Sequence, residues 1–339
     1  MPSGANPSDT VHVLFTSAGR RVELLNAFRQ AYRDSGLRGR LVATDIDPLA
    51  PALQVADAAY IVPPLTHPDY LPSLAELCRR ESINLVFPLI DPDIPVLAHG
   101  RAALEAEGAR VAVVPAETAD LTRDKWRTFE WFESHHVPTP RTWKAKELPK
   151  GDLPVPLFVK PRFGSAGKQG FRADTPDQLA FFLDYVDDPV VQEFVDAPEI
   201  TTDVVCSLAG EVWALVSRQR IEVRTGEVAK GMTVHDEAVQ RQCAAIARGL
   251  GAIGPITVQC MLRRGSPLFT EINARFAGGA PLGFAAGVPS PRWYLEEAVG
   301  RPVQAPPLGT YRAGLFLTRY DGSFFLDEEA RDRLARHRV

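Results

Sequence analysis

The chain has 339 residues, of which 45% are hydrophobic and 24% charged, and its net charge is −4. That length suits two or three domains with a substantial core, and that composition excludes a disordered, collagen-like or disulfide-dense chain. The mildly negative balance excludes a surface built to coat nucleic acid, though not a local basic cleft.

In chain order, the first ten residues, "MPSGANPSDT", lack the basic and apolar regions of a signal peptide and read as a floppy start. "VHVLFTSAGRR" is a short apolar strand closed by a tight loop. "VELLNAFRQAY" then has helical spacing at Val22, Leu25, Phe28 and Tyr32. Strands follow in "RLVATDID", "AAYIVPP", "INLVFPLI" and "ARVAVVP", with helices in "YLPSLAELCRRES" and "AALEAEG". Strands alternating with helices predict a parallel, doubly wound α/β domain ending near residue 118. "DKWRTFEWFESHHVPTP" is a helix stopped by prolines, and "KELPKGDLPVP" a loop. "TPDQLAFFLDYVDD" opens a helix with Thr175 as N-cap and Gln178 three residues on, as in a capping box. Strands recur in "VVQEFV", "TTDVVCSLAGEVWALVSRQRIEV" and "ITVQCML", with one helix at "DEAVQRQCAAIARGLG". That is an α+β pattern of antiparallel sheets. The end, "LDEEARDRLARHRV", is a charged helix or frayed tail. No apolar run approaches the roughly 20 residues of a membrane span. Cys78, Cys206, Cys243 and Cys260 have no metal-ligand spacing and are expected to be buried thiols in a reducing compartment. A cytoplasmic protein is expected.

Three stretches carry chemistry. In "VKPRFGSAGKQG", Lys160 ends a strand, and Gly164, Ser165, Gly167, Lys168 and Gly170 form a loop. Its backbone N–H groups can approach phosphates closely, or it is a plain turn. It matches neither GxxxxGK[ST] nor GxGxxG. In "VVQEFVDAPEITTDVV", Gln192 and Glu193 end a strand and Glu199 follows a turn. A strand edge can offer backbone groups to an adenine rim and a carboxylate can accept from ribose hydroxyls; two surface acids at a turn are the alternative. In "GPITVQCMLRRGSPLFTEINARFAGGAPL", strand alternation puts Phe269, Glu271, Asn273 and Arg275 on one face and Leu268, Thr270 and Ile272 on the other. A three-residue turn, Arg264 to Ser266, sets Gln259 opposite Glu271. A two-residue turn sets it opposite Thr270. Oxygen donors at Gln259, Glu271 and Asn273 suit Mg²⁺ bridging phosphates, with Arg275 beyond them for a transferred phosphoryl group; a solvated strand face is the alternative.

Less distinctive groups remain. Arg218, Arg220, Arg224 and Lys230 are a charged surface hairpin or an anion pocket for phosphate or carboxylate. Ser17 sits in a loop at a strand end that could touch substrate, and Asp45, Asp47 and Asp91 are strand-end caps or substrate contacts. The histidines show no metal spacing.

Taken in order, Asp124-Lys125, "PTP", "FVKPRFGSAGKQG", "VQEFVDAPEITTDV", "VQ" and "TEINAR" resemble the ATP-grasp superfamily, in particular its carbamoyl-phosphate-synthase-like branch. "SAGRRVELLNAF" and "ATDIDPLAPAL" resemble that branch's pre-ATP-grasp domain, so the likeness spans roughly residues 11–303. It implies an α/β and α+β fold: a Rossmann-like pre-ATP-grasp domain over 11–118, a small lid subdomain over 119–190, a metal-bearing subdomain over 191–305 and a C-terminal extension over 306–339.

The resemblance implies that Lys125 and Lys160 hold the α- and β-phosphates and that residues 164–170 are a mobile cover. Glu193 with the backbone of Phe194 and Val195 would be the adenine hinge, and Glu199 the ribose carboxylate. Gln259, Glu271 and Asn273 would ligate Mg²⁺ (or Mn²⁺), and Arg275 would stabilise the transition state. Lys168 departs from the small residues common in that loop, and Gln259 stands where many relatives carry Glu, which weakens one metal site. The implied function is an ATP-dependent, ADP-forming ligase that joins a small carboxylate to an amine through an acyl phosphate, without nucleic-acid or membrane partners. A homodimer is an added expectation. Bicarbonate phosphorylation, or nucleotide binding without turnover, are the rival readings.

Overall fold

The computed structural model describes residues 9–149, 154–165, 167–224, 226–337 and 339. Most of the expected floppy start, the centre of the loop at 150–153, and Ala166 in the glycine-rich loop lie outside them.

The first body is a parallel sheet. Its chain order is β1 (Val13–Thr16), α1 (Val22–Ser35), β2 (Leu41–Asp45), β3 (Ala58–Ile61), α2 (Tyr70–Arg80), β4 (Leu85–Pro88), α3 (Asp93–His99), α4 (Arg101–Glu105) and β5 (Arg110–Val111). The strands lie in the order β3-β2-β1-β4-β5. Near-continuous apolar runs form these strands because helices cover both faces, leaving no side exposed to water. The order reverses between β1 and β4, which pair from Val13↔Leu85 to Thr16↔Pro88. The loops leaving their carboxyl ends therefore lie side by side, at the crevice where open α/β sheets bind ligands. Buried Asp93 ties this edge together, accepting from Thr16 Oγ1 at 2.5 Å, Ser17 Oγ at 3.0 Å and the Tyr70 hydroxyl at 2.6 Å.

Two helices, α5 (Ala116–Thr122) and α6 (Lys125–Ser134), lead to a second, antiparallel sheet. It contains β6 (Thr142–Lys144), β7 (Leu157–Pro161), β8 (Phe171–Ala173) and β9 (Pro189–Glu193) in the order β6-β9-β7-β8, with α7 (Pro176–Tyr185) packed on it. The sheet has a small core of its own, centred on Leu157, Val159, Leu179 and Val191. The boundary expected at 190/191 cuts through β9. Because β9 pairs with both β6 and β7, this body extends to Glu193.

The third body is a larger antiparallel sheet. Its elements are β10 (Glu199–Cys206), β11 (Val212–Arg224), β12 (Glu227–Thr233), α8 (Glu237–Gly249), β13 (Pro255–Arg263), β14 (Ser266–Asn273), α9 (Ala280–Ala285), α10 (Ser290–Ala298), β15 (Phe316–Thr318) and α11 (Glu328–Arg336). The strand order is β14-β13-β10-β11-β12-β15. The segment expected as an extension is thus part of the fold: β15 pairs with β12, and the chain around α11 reaches back to β3, where Ile61 N donates to His337 O at 2.9 Å. One core joins this sheet to the parallel one, running from Leu14, Val42 and Val86 to Val204, Val258, Phe269 and Ile272. The four cysteines are buried, as expected.

The β13–β14 hairpin sets Gln259 opposite Glu271, as one of the two registers considered above has it, but not through a three-residue turn. Its turn has two residues, Arg264 and Gly265, both at positive φ (51° and 79°) and flanked by Arg263↔Ser266, as tight hairpins require. That turn alone would set Gln259 against Thr270. A β-bulge lets the ladder step from Cys260↔Phe269 to Gln259↔Glu271. Thr270 is the extra residue, and alternation resets across it. Phe269, expected on the face of Glu271, is therefore fully buried with Ile272 in the core.

Gly254, at φ +73°, leads into β13 where a Cβ would stand 3.1 Å from both Ala112 Cβ and Ala112 O. It permits backbone contact between the parallel and large sheets. Gly254→Ala adds a strained φ to overpacking and is expected to cost about 1–3 kcal/mol, read as a lowered midpoint in chemical denaturation.

Candidate active site

A cleft of about 720 Å³ opens where the three bodies meet. Each wall follows from local structure. From the small sheet, β7 carries Lys160 one residue before its end, and the buried Lys160 ammonium donates to Gln192 Oε1 at 3.1 Å; Gln192 in turn donates to Thr142 Oγ1 at 2.8 Å. Burial pushes the Lys160 ammonium down to about 8, against the pull of Glu271 and with the push of Lys125. Asp124 caps α6, accepting from the N–H groups of Trp126 and Arg127, and pairs with Arg162 at 2.6 Å. This seats Lys125 at the cleft, where its ammonium donates to Gly164 O at 2.7 Å. Gly164, Ser165, Gly167 and Lys168 line the same space.

The crossing from β9 to β10 supplies Gln192, Glu193, Phe194, Val195 and Glu199. Glu193 pairs with Arg263 at 2.5 Å, and Arg172 lies over the Phe194 ring at 4.4 Å. Glu199 accepts from Arg220 at 2.7 Å and from the Gln259 amide.

The large sheet supplies Gln259, Glu271, Asn273 and Arg275. Beyond the bulge, Asn273 and Arg275 face the cleft while Ala274 and Phe276 are buried. Phe276 packs edge-on to Phe28 and against Phe87, which fixes the strand end that carries Arg275. Arg275 Nη2 pairs with Asp91 Oδ2 at 2.7 Å, across to the loop after β4. The Asn273 amide oxygen lies 3.2 Å from Glu271 Oε1 and 3.1 Å from Asp91 Oδ1, and the amide nitrogen lies 3.1 Å from Gln259 Oε1. Three acceptor oxygens thus face one another with no proton between them. Either the amide turns over or a cation sits among them.

Arg218 and Arg220 also line the cleft, and the Arg218 guanidinium is 3% exposed, paired with Asp203. Lys230, Arg224, Ser17, Asp45 and Asp47 are not brought here, and Arg224 pairs with Glu222 at 2.8 Å instead. Lys230 points outward to Glu222 at 2.7 Å, because strand alternation on β12 sends it away. Ser17 is turned inward to Asp93, and Asp45 accepts from Gly19 N at 2.7 Å as a loop brace.

Sequence reasoning missed Arg21, Glu227, Gly278 and Gly279, all of which line the cleft. Arg21 pairs with Glu227 at 2.8 Å. Burial holds the Arg21 guanidinium below its usual range, and Arg275 and Arg319 add to that push. A Cβ on Gly278 would overlap the Glu227 carboxylate and Arg21, and one on Gly279 would overlap Arg218. The glycine pair after Arg275 was the available signal: side chains are absent there because three charged groups lie directly on the backbone.

Residues 122–279 match the family described as the ATP-grasp domain. The chain carries an ATP-grasp domain. Residues 13–112 match the PylC-like N-terminal domain. The chain is 26% identical over 182 residues to a carbamoyl-phosphate synthase of Methanobrevibacter smithii, covering 51% of this chain and 47% of that protein. It is 34% identical over 146 residues to a formate-dependent phosphoribosylglycinamide formyltransferase of Synechococcus sp., covering 41% and 35%. The ATP-grasp chain thus spans half or less of the length of these relatives. Among solved structures, N5-carboxyaminoimidazole synthetase from Staphylococcus aureus complexed with ADP is similar in fold, with a TM-score of 0.69 at 15% identity over 89% of this chain and 80% of that one.

ATP-grasp enzymes use ATP with Mg²⁺, and the donor set fits that ion. Among the described residues no group of three His, Cys, Asp or Glu side chains could hold a metal. The facing oxygens of Glu271 and Asn273, backed by the Gln259 amide, are instead the sparse hard-oxygen set that suits Mg²⁺, which keeps waters and substrate phosphates as its other ligands. Among the described residues no helix is long and apolar enough to cross a membrane.

A polyphosphate beside Lys160 favours its charged form and raises its pKa from about 8 toward the unperturbed lysine range near 10.4. Between those values binding must take up a proton. Calorimetry of ADP binding at about pH 9, in buffers of different ionisation enthalpy, should show uptake of most of one proton, and near none at about pH 6.5. Lys160→Met is expected to remove the uptake.

Proposed function

We propose that this chain is an ATP-dependent, ADP-forming ligase that joins a small carboxylate to an amine through an acyl phosphate. The observation that carries the reading is the convergence on one cleft of two lysines, a glycine loop, a hard-oxygen set and a pinned arginine. In this reading the adenine lies along Gln192 to Val195 and the ribose hydroxyls donate to Glu199. The phosphates lie under Gly164, Ser165, Gly167 and Lys168, held by Lys125 and Lys160. The small sheet, with its separate core, serves as a lid.

Glu271 and Asn273, with Gln259, would hold Mg²⁺ or Mn²⁺, which when bound neutralises β- and γ-phosphate charge. The residues do little covalent work. They hold the carboxylate in line with the γ-phosphorus and balance charge on the group in flight, which is how phosphoryl transfer is chiefly accelerated. Arg275 leaves Asp91 to reach that group. The amine then attacks the acyl carbon, the C–O bond to phosphate breaks, and inorganic phosphate leaves with the bonding pair.

With its carboxylate and no amine, hydroxylamine should trap the activated acyl group as a hydroxamate while ADP and phosphate accumulate together. AMP as the main product would overturn the scheme. Arg275→Ala should slow the step by orders of magnitude, toward the roughly 10³–10⁵ of other phosphoryl-transfer arginines, while ADP binding survives. Glu271→Ala should abolish turnover at saturating Mg²⁺ with the denaturation midpoint little changed. Bicarbonate as the sole carboxyl substrate would favour the carbamoyl-phosphate-synthase type of reaction.

A further inference from the structure

Two ion pairs cross between the bodies at the wall of the cleft formed by the parallel sheet, and they run in opposite senses. Arg21, from the loop after β1, meets Glu227 of the large sheet at 2.8 Å; Asp91, from the loop after β4, meets Arg275 of the large sheet at 2.7 Å. Behind them Arg319 lies 3.6 Å from Glu227 and pairs with Glu23 at 2.7 Å. Three guanidiniums therefore face three carboxylates, and the wall is electrically neutral.

We propose that this wall binds an amino acid as a zwitterion, its carboxylate on Arg21 and its ammonium on Asp91. This rests on the ligase reading above and names the class of its carboxylate substrate. The argument is charge balance. When Arg275 turns to the phosphoryl group, Asp91 loses its counter-charge in a half-buried place, where an unpaired charge is costly. Arg21 already shares Glu227 with Arg319, so it has a donor face to spare. A bare carboxylate would satisfy Arg21 and leave Asp91 unpaired. A ligand with an ammonium beside its carboxylate pairs both and adds no net charge. The absence of side chains at Gly278 and Gly279 lets Glu227, Arg21 and Arg218 lie directly on the backbone of this wall.

The test measures ATP consumption with matched pairs: alanine against propionate, lysine against 6-aminohexanoate and hexanoate, glutamate against glutarate, each in L and D forms where they exist, with bicarbonate included. At least one α-amino acid should exceed its des-amino partner in kcat/KM by roughly 10–100-fold, the worth of a hydrogen-bonded charge pair. Asp91→Asn should shrink that ratio at least tenfold, and Arg21→Met should raise KM for amino acid and des-amino acid alike. A variant that still binds ADP by calorimetry is folded. Equal turnover of both partners by the wild type, or an unchanged ratio in Asp91→Asn, overturns the proposal. So does restoration of Asp91→Asn by raised Mg²⁺, which would make Asp91 a metal ligand. ADP formation with bicarbonate or des-amino acids alone keeps the ligase reading and sinks the zwitterion. AMP formation with an amino acid does the reverse. No ATP consumption with any compound counts against both.

Discussion

One extra residue in one strand organises the chemistry of this cleft. The two-residue turn between β13 and β14 dictates a register in which Gln259 would meet Thr270, and the bulge at Thr270 overrides it. Because side chains alternate strictly along a strand, a shift of one residue exchanges the two faces. Here the exchange falls between Phe269 and Glu271. Everything before it packs Phe269 into the core, and everything after it turns Glu271, Asn273 and Arg275 to the cleft. Without the bulge, either a large aromatic ring would lose its burial or three polar groups would be forced inside, at several kcal/mol in either case.

The charged groups of the cleft are held by partners, two of them across bodies (Arg275–Asp91 and Arg21–Glu227) and one within the small sheet (Lys160–Gln192). Arg275 leans on Asp91, Arg21 on Glu227, Lys160 on Gln192 and Lys125 on Gly164 O. Such pairs make the relative placement of the sheets specific more than they make it stable, since removing charge from water offsets much of the attraction. They also make the cleft responsive: each cation is already paired, and a polyanion can take over its partner's place. The small sheet has a core of its own, whereas the joint core of the parallel and large sheets holds the remaining wall fixed.

The topology of the parallel sheet decides which loops reach that fixed wall. The strand order reverses between β1 and β4, so the loops bearing Arg21 and Asp91 emerge together. Asp93, buried beneath hydroxyls of Thr16, Ser17 and Tyr70, ties the two loops to each other. Ser17 thus acts on the site through the frame and not by contact with the cleft.

The sequence by itself determined what local rules govern. Alternating apolar runs and helical spacing specified the parallel domain and the antiparallel sheets that follow, and Thr175 caps its helix where expected, its side chain accepting from Gln178 N, while the Gln178 side chain accepts from Asp174 N in place of the reciprocal bond of a capping box. The order of the lysines, glycine loop and "TEINAR" identified one set of residues, and the structure gathers Lys125, Lys160, Gly164, Glu193, Glu199, Gln259, Glu271, Asn273 and Arg275 around one cleft. Only the tertiary structure decided the rest. Register across a hairpin depends on a bulge that no periodicity records. Whether Lys230 or Arg218 faces the cleft depends on which side of β11 and β12 the core lies. The pairs Arg21–Glu227 and Asp91–Arg275 join residues 206 and 184 positions apart. Contacts at that separation are fixed by how the sheets pack, and packing is a property of the whole chain that leaves no periodic trace in any one segment.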